Sequence, residues 1–126
     1  MGRDFDFAAA RHHMVDRIVR AGFVRSPRVR DAFLAVPREV FVPQEEREAA
    51  YEDTPLPIGS GQTISAPSMI AIMLEEAQLE RGERVLEVGT GTGYHAALLA
   101  ILVGAQNVVS IERHAALASR ARSNLE

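Results

Sequence analysis

The feature of the sequence that most constrains the fold is a short apolar run leading into three closely spaced glycines, at residues 85–94 (V-L-E-V-G-T-G-T-G-Y). An apolar run of this length bounded by glycines is typical of a buried strand, and the alanine- and leucine-rich residues 94–103 are typical of a helix. Glycine adopts backbone conformations closed to other residues, and it lets a ligand approach bare main chain. The start of the helix adds free N–H groups beside the turn. The sequence therefore predicts a strand, a ligand-binding turn and a helix in succession.

The spacing of the glycines distinguishes two classes of ligand. A dinucleotide-binding turn requires a further glycine three residues after its second, and counting from Gly91 that position is Tyr94. Glu87 would repel a pyrophosphate, whereas its carboxylate suits the ammonium and sulfonium groups of S-adenosylmethionine. Glu112, about twenty residues after the turn, is placed to accept hydrogen bonds from both ribose hydroxyls of an adenosine in either ligand. A plain glycine turn and a solvated Glu112 are the alternatives without a ligand.

From residue 83 onward the chain alternates strand and helix, with strands at residues 84–88 and 108–112 and helices at residues 94–103 and 114–125. This alternation predicts an α/β fold with a parallel sheet and right-handed crossovers. Because two strands leave the outer faces of the sheet without partners, we expect a chain truncated after the second strand–helix unit, or a sheet completed by strands from elsewhere.

We therefore divide the chain into two segments. Residues 1–82 form an N-terminal helical and substrate-loop segment, and residues 83–126 form the incomplete start of a Rossmann-like domain that binds S-adenosylmethionine. Five of the six prolines lie between residues 37 and 67, which predicts an ordered loop with short pieces of regular structure. Buried-type residues in that loop, such as Phe41 and Tyr51, favour a functional loop over a disordered one.

Three helices are predicted in the first segment. One covers residues 11–21, one begins after Ser26 as N-cap and ends before Pro37, and one opens at Ser65, whose first interpretation is an N-cap. In these three helices and in the helix at residues 114–125, apolar side chains at helical spacing are expected to face the protein core. They are Met14, Val15, Ile18 and Val19, then Val29, Ala32 and Phe33, then Met69, Ile70, Met73, Leu74 and Ala77, and finally Leu117, Ala118, Ala121 and Leu125.

Composition and charge exclude several classes of function. The formal net charge of −3 argues against a strongly basic nucleic-acid-binding surface and against a polybasic membrane anchor. With no cysteine there is no disulfide or zinc–thiolate site, and the four histidines lack metal-ligand spacing, so we expect no metal. The longest apolar run, residues 96–103, is too short to cross a bilayer, and the N-terminus lacks a signal-peptide pattern. We therefore expect a cytoplasmic protein with no nucleic-acid and no membrane partner.

Three segments carry a family-level signal. Residues 36–43 (V-P-R-E-V-F-V-P), residues 50–71 (A-Y-E-D-T-P-L-P-I-G-S-G-Q-T-I-S-A-P-S-M-I-A) and residues 85–97 resemble the protein-L-isoaspartate O-methyltransferase family, particularly its microbial members. The segments occur in the family's order and spacing, and the likeness covers residues 11–125. The block Q-T-I-S-A-P is far more specific than the glycine turn, which all class I methyltransferases share.

The resemblance implies a role for particular residues. Ser65 matches the family's catalytic serine. The residues that match cofactor-binding positions for S-adenosyl-L-methionine are Gln62, Thr63, Ile64, Ser65, Ile70, Glu87, Val88, Gly89, Thr90, Gly91, Thr92, Gly93 and Glu112. Ile70 stands where some relatives have histidine, so no side-chain hydrogen bond is expected there. The family's later elements, an acidic-glycine loop and a C-terminal substrate-closing segment, have no counterpart in these residues, so the adenine site and part of the peptide site are expected to be missing.

The resemblance also implies a reaction, namely methyl transfer to the free α-carboxylate of L-isoaspartyl residues in damaged proteins, which initiates repair to aspartate. The implied partners are isoaspartyl-containing proteins and peptides, and the complete enzyme is expected to be a monomer. A carboxylate with a pKa near 4 is ionised at pH 7, so alignment matters more than a strong base. The Ser65 hydroxyl would orient that carboxylate. We expect no activity from these 126 residues in isolation.

Three other interpretations remain open from the sequence. A different class I methyltransferase would share residues 85–112 but gives no reason for Q-T-I-S-A-P. A Rossmann module that binds NAD is disfavoured by the glycine spacing. A non-catalytic fragment would bind weakly or associate through an open sheet edge.

Overall fold

The computed structural model describes residues 4–126, and the first three residues of the predicted N-terminal segment lie outside that range. Along the described part of the chain, two helices and a β-hairpin come first, and alternating helices and strands follow. The α-helices are α1 Phe7–Arg20, α2 Pro27–Ala35, α3 Pro67–Ala77, α4 Tyr94–Val103 and α5 Ala115–Leu125. The strands are β1 Leu56–Gly59, β2 Gln62–Ile64, β3 Val85–Val88 and β4 Val108–Ile111. The 3-10 helices are Arg38–Phe41, Gln44–Ala49 and Ala105–Asn107.

The first two helices begin at polar caps. Helix α1 begins four residues before the predicted start, because the N–H of Ala9 donates to Asp6 Oδ1 at 3.0 Å and completes the first turn. Helix α2 begins after Ser26, whose hydroxyl accepts from the N–H of Val29 at 3.3 Å as predicted. The predicted core residues of both helices are buried, with the exception of Val19, which is exposed.

The proline-rich segment is ordered, as predicted, and two of its parts are strands. Strands β1 and β2 form an antiparallel hairpin in which Leu56 pairs with Ile64, and the turn between them places Ser60 and Gly61 at positive φ. Phe41 and Tyr51 are buried and anchor the segment against α1 and α4, which confirms their prediction as core residues. The hairpin brings β2, and therefore Gln62 and Thr63, toward the C-terminal end of β3.

Helix α3 departs from its prediction at both its cap and its apolar face. Ser65 is not the N-cap; the cap position is Ala66, and the N–H of Ser68 donates instead to Asp53 Oδ1 at 2.9 Å. A carboxylate fifteen residues upstream therefore supplies the cap, because the loop folds back over the helix start. Met69 and Met73 are 51% and 42% exposed and Ala77 is exposed as well, so the predicted core stripe is wrong at these three positions, where the helix faces solvent and an open cleft.

This arrangement predicts that substitution of Asp53 lowers the stability of the fold and that substitution of Ser65 does not. Asp53→Ala should lower the free energy of unfolding by about 1 kcal/mol, the usual contribution of an N-cap, because it leaves the N–H of Ser68 without its acceptor. Ser65→Ala should leave the free energy of unfolding within about 0.5 kcal/mol, as for most exposed substitutions. Urea unfolding of the two variants measures both. A larger loss from Ser65→Ala than from Asp53→Ala would restore Ser65 as the cap.

Strands β3 and β4 are parallel, as predicted, with α4 as their crossover, and Glu87 lies opposite Ser110 in the register. The predicted complete burial of the first strand is wrong, because Leu86 and Val88 are 64% and 76% exposed while Glu87 is buried. Helix α4 covers one face of this sheet, and no part of residues 4–126 covers the face that carries Leu86 and Val88. In α5 the predicted inward residues Leu117 and Ala121 are buried, whereas Leu125 is largely exposed at the end of the helix.

Candidate functional site

A cleft of about 500 Å³ separates α3 and β2 on one side from β3 and the glycine turn on the other. Its lower part follows the edge of β3 that has no strand partner within residues 4–126, and this part is lined by apolar side chains of α3. Its upper part, at the C-terminal end of β3, is polar. The predicted site residues that line the cleft are Thr63, Ile64, Ser65, Ile70, Glu87, Val88, Gly89, Thr90, Gly91 and Thr92.

A second groove, of about 460 Å³, lies across the C-terminal ends of β3 and β4. Gln62 and Glu112 line this groove, and Val88 and Gly89 line both it and the cleft. The two cavities therefore adjoin at Val88 and Gly89, where the chain leaves β3. A ligand that crosses the end of the sheet would touch Glu87 at one end and Glu112 at the other.

Glu87 is held in place by two side chains that the sequence analysis did not single out. Its side chain is 8% exposed, and its carboxylate accepts from Ser110 Oγ at 2.5 Å and lies 3.1 Å from His95 Nδ1. Ser110 also shares a hydrogen bond with Thr90 Oγ1. The parallel register sets Glu87 opposite Ser110, so a register assigned from the sequence would have indicated the serine. The first turn of α4 brings His95 over the end of β3. The acid is thus pre-oriented at the edge of the cleft.

The glycine turn has the backbone geometry that its sequence predicts. Gly89, Gly91 and Gly93 have φ of +93°, +59° and +101°, in the left-handed region that favours glycine. A Cβ built at Gly89 would meet no atom within 4 Å, so the space above this residue is open to a ligand. Gly93 lines neither cavity; a Cβ there would lie 3.1 Å from Leu125 Cγ, so this glycine lets α5 pack on the start of α4.

Glu112 bends the end of β4 back toward the glycine turn. Its carboxylate accepts from the N–H of His114 and from the N–H of Gly91, each at 2.9 Å. The backbone N–H groups of His114 and Gly91 hold the pKa of this carboxyl below its usual value, so the group is ionised at neutral pH. Each carboxylate oxygen keeps further acceptor capacity, which leaves Glu112 able to bind hydroxyl groups in the groove.

The lowered pKa of Glu112 predicts a pH dependence of stability. A carboxyl with a lowered folded-state pKa stabilises the fold above its unfolded pKa of about 4.3, and this contribution disappears as the pH falls through the folded-state value. The difference in free energy of unfolding between wild type and Glu112→Gln should therefore be constant near neutral pH and shrink below about pH 4.3. Urea unfolding at a series of pH values measures it. A difference that stays constant to the lowest pH would contradict the assignment.

Ser65 lies across the cleft from the glycine turn. It follows β2 directly, its side chain is exposed, and it is not used as a helix cap. Its main-chain carbonyl accepts from Arg38 Nη2 at 3.0 Å, which fixes the backbone at a residue that lines the cleft. One wall of the cleft therefore offers Glu87 and bare main chain, and the other offers Ser65.

The sequence profile of the protein-L-isoaspartate(D-aspartate) O-methyltransferase family matches residues 9–126. This chain belongs to that family. Curated relatives in the family include a protein-L-isoaspartate O-methyltransferase of Ignicoccus hospitalis, 54% identical over 117 residues that cover 92% of this chain and 56% of the relative. One of Hyperthermus butylicus is 55% identical over 128 residues that cover 95% and 53%. The chain thus spans about half the length of these curated relatives.

Solved structures of the family superpose on most of this chain. A protein-L-isoaspartate O-methyltransferase structure matches with a TM-score of 0.78 at 35% identity, covering 91% of this chain and 38% of that one. A Plasmodium falciparum protein assigned the same activity, solved in complex with S-adenosyl-L-homocysteine, matches with a TM-score of 0.79 at 28% identity, covering 97% and 56%. These matches confirm the predicted α/β class and its Rossmann-like, class I methyltransferase character.

The family's glycine turn and its serine segment are joined here by a buried arginine. Arg38 is 0% exposed, its Nε donates to the carbonyl of Ala50 at 2.5 Å, and its guanidinium stacks 5.0 Å from the centre of the Tyr94 ring. Burial lowers the pKa of this guanidinium below its usual value. The sequence analysis did not predict this role, because an arginine beside a proline-rich loop is ordinarily exposed.

Thr92 forms a second link between the two parts of the family's site. It is buried, and its hydroxyl donates to the carbonyl of Phe41 at 2.5 Å. Its own carbonyl accepts from Asn124 Nδ2 at 3.0 Å. Thr92 lines the cleft, but its side chain is committed to the 3-10 helix Arg38–Phe41, so any contact with a ligand there falls to its main chain.

Two further observations concern ions and membranes. Within residues 4–126, no three side chains of histidine, aspartate or glutamate come together as a metal site would require. In the same range, none of the helices is both long and apolar enough to pass through a bilayer.

Proposed function

We propose that this chain provides the donor site and the acceptor serine for S-adenosylmethionine-dependent methylation of L-isoaspartyl residues in damaged proteins, the step that begins their repair to aspartate. The observation that carries this proposal is the juxtaposition of Ser65 with Glu87 and Gly89 in one cleft. Family membership supports the reaction class. In this proposal residues 1–82 carry the acceptor side and residues 83–126 the donor side.

The donor would lie across the C-terminal ends of β3 and β4. When bound, S-adenosylmethionine supplies a methyl group attached to a positively charged sulfur. Glu87, buried beside its hydrogen-bond donors, would accept from the ammonium group at the methionine end, and Gly89 would let the chain of the ligand pass close to the backbone. Glu112 would accept from the ribose hydroxyls. The complex of the Plasmodium falciparum relative with S-adenosyl-L-homocysteine supports S-adenosylmethionine as the ligand.

The acceptor carboxylate needs to be aligned more than it needs to be activated. An α-carboxylate is ionised at pH 7, so its oxygen is already a nucleophile. Transfer forms one carbon–oxygen bond to the methyl group as the carbon–sulfur bond breaks, and the bonding electron pair remains on sulfur. Ser65 would donate one hydrogen bond to the carboxylate and hold it in line, a positioning effect that is worth several kcal/mol when the geometry is fixed.

The partners in this proposal are isoaspartyl-containing proteins and peptides. A monomeric enzyme that works in the cytoplasm fits such substrates, because isoaspartate accumulates in mobile backbone throughout the cell's proteins.

A matched pair of peptides tests the proposed function. The protein that carries this chain is incubated with S-adenosylmethionine labelled in its methyl group and with two peptides that differ only in an isoaspartyl or a normal aspartyl linkage. We expect label in the isoaspartyl peptide as a base-labile methyl ester, and none in the aspartyl peptide. Equal labelling of both peptides, or labelling of neither while the protein binds S-adenosylhomocysteine, would overturn the proposed substrate and leave a methyltransferase of another specificity.

A further inference from the structure

The 3-10 helix Arg38–Phe41, called the spacer helix below, lies between the two halves of the site and contacts both. At its first residue, Arg38 Nη2 donates to the main-chain carbonyl of Ser65 at 3.0 Å. At its last residue, the carbonyl of Phe41 accepts from the hydroxyl of Thr92 in the glycine turn. The spacer helix is therefore bonded to the acceptor side at one end and to the donor side at the other.

Packing of aromatic side chains adds a second connection between the spacer helix and the start of α4. The ring of Tyr94, the first residue after the glycine turn, lies 5.7 Å from the ring of Phe41 and 5.0 Å from the guanidinium of Arg38. All three side chains are buried. This packing holds the start of α4 against the spacer helix, because tilted aromatic pairs and cation–π contacts are favourable only at short range.

Stability alone does not explain a charged group at this position. Arg38 is completely buried, and its Nη1 has no hydrogen-bond partner among residues 4–126. A buried polar group without a partner costs free energy that an apolar side chain would avoid. What an apolar side chain lacks is a rigid fork of donors that reaches the carbonyls of Ala50 and Ser65 together.

We infer that Arg38 is a positioning residue that, through the spacer helix, sets the distance between the Ser65 hydroxyl and the donor bound at the glycine turn. This inference rests on the proposed function and assigns a determinant of its geometry. Arg38 is too deeply buried to touch either reactant, so it acts through Ser65. In-line methyl transfer is sensitive to this distance, since a displacement of about 1 Å lowers the rate by about 100-fold in comparable systems.

Arg38→Lys tests the inference, because lysine keeps the charge but cannot bond two carbonyls with a planar fork. We expect kcat with an isoaspartyl peptide to fall by about 10- to 100-fold, while the Kd of S-adenosylhomocysteine changes by less than about 2-fold, because Glu87 and Glu112 are untouched. Arg30→Lys is the matched control and should leave both values unchanged, since Arg30 is exposed and its side chain pairs with its neighbour Asp31.

A double mutant separates positioning from general loss of structure. If Arg38 acts through Ser65, adding Arg38→Lys to Ser65→Ala should lower kcat by less than about 2-fold further. Multiplied effects, or an equal rise in the Kd of S-adenosylhomocysteine, would overturn the inference. Thr92→Val removes the hydrogen bond to the Phe41 carbonyl at the other end of the spacer helix and nearly keeps the side-chain volume. It should give the same loss of kcat, and the same lack of additivity with Ser65→Ala, even if Arg38→Lys fails to fold.

Amide hydrogen exchange tests the inference without a substrate. In Arg38→Lys, or in Thr92→Val if that variant alone folds, the amides of residues 62–68 should exchange about 10-fold faster, while those of α4 and β4 keep their wild-type rates. Unchanged exchange at residues 62–68, or faster exchange throughout the chain, would overturn the positioning role. A wild-type protein that fails to methylate the isoaspartyl peptide would instead defeat the proposed function, so the two failures are distinguishable.

Discussion

Glu87→Gln is expected to weaken binding of S-adenosylhomocysteine by about 10- to 100-fold, because it removes the negative charge that faces the ammonium group of the ligand. A hydrogen bond to a charged group contributes about 1.5–3 kcal/mol, more than a neutral pair does. Glu87 is buried and held by Ser110 and His95, so neither water nor rearrangement of the side chain would replace the lost interaction. Calorimetric titration measures the change in Kd.

A second ligand makes this prediction specific. 5′-Methylthioadenosine has the same sulfur and nucleoside but no ammonium group, so Glu87→Gln should change its Kd by less than about 2-fold. Ser110→Ala is the matched control, because it removes one donor to the carboxylate and keeps the charge, and it should have a smaller effect than Glu87→Gln. Equal losses for both ligands would show that Glu87 supports the fold of the turn rather than the methionine end of the ligand.

Ser65→Ala is expected to lower kcat with an isoaspartyl peptide by about 10- to 100-fold, the effect of losing one hydrogen bond to a charged reactant. The Kd of S-adenosylhomocysteine should remain within about 2-fold, because the donor contacts proposed for Glu87, Gly89 and Glu112 are untouched. The fold should also be unaffected, since Ser65 caps no helix. Steady-state kinetics and calorimetry on the same preparation measure both quantities.

Ser68→Ala is the matched control for this prediction. Ser68 lies three residues after Ser65, in the first turn of α3. Its contact with Asp53 uses the backbone N–H, and Ser68 does not line the cleft. It should therefore keep the wild-type kcat. A Ser65→Ala variant that loses cofactor affinity as much as turnover, or that loses neither, would remove Ser65 from the acceptor site.

The parts of the fold that the sequence predicted depend on local patterns. The glycines at positive φ, helix α4 and the parallel pairing of β3 with β4 all follow from hydrophobic spacing and turn residues within a few positions of one another. The Ser26 cap of α2 is equally local and was predicted. The grouping of Ser65 with Glu87 in one cleft came from the family resemblance, because no pattern within the chain states which loops meet.

The parts that the sequence did not predict depend on contacts between distant residues. Ser65 was preferred as the cap of α3, but Asp53 bonds the helix start because the intervening hairpin folds back. Arg38 is buried because two carbonyl acceptors and a tyrosine ring converge on its guanidinium from separate segments. The spacing of the histidines predicts no metal site, but the structure gives His95 a carboxylate partner, Glu87, on the preceding strand. In each case the decisive partner is supplied by tertiary structure.

The most direct test of the account is a crystal structure of the protein that carries this chain with S-adenosylhomocysteine bound. We expect the ammonium group within hydrogen-bonding distance of Glu87, the ribose hydroxyls hydrogen-bonded to Glu112, and the sulfur facing Ser65 across the cleft. A ligand bound elsewhere, or one whose amino-acid end lies away from Glu87, would contradict it.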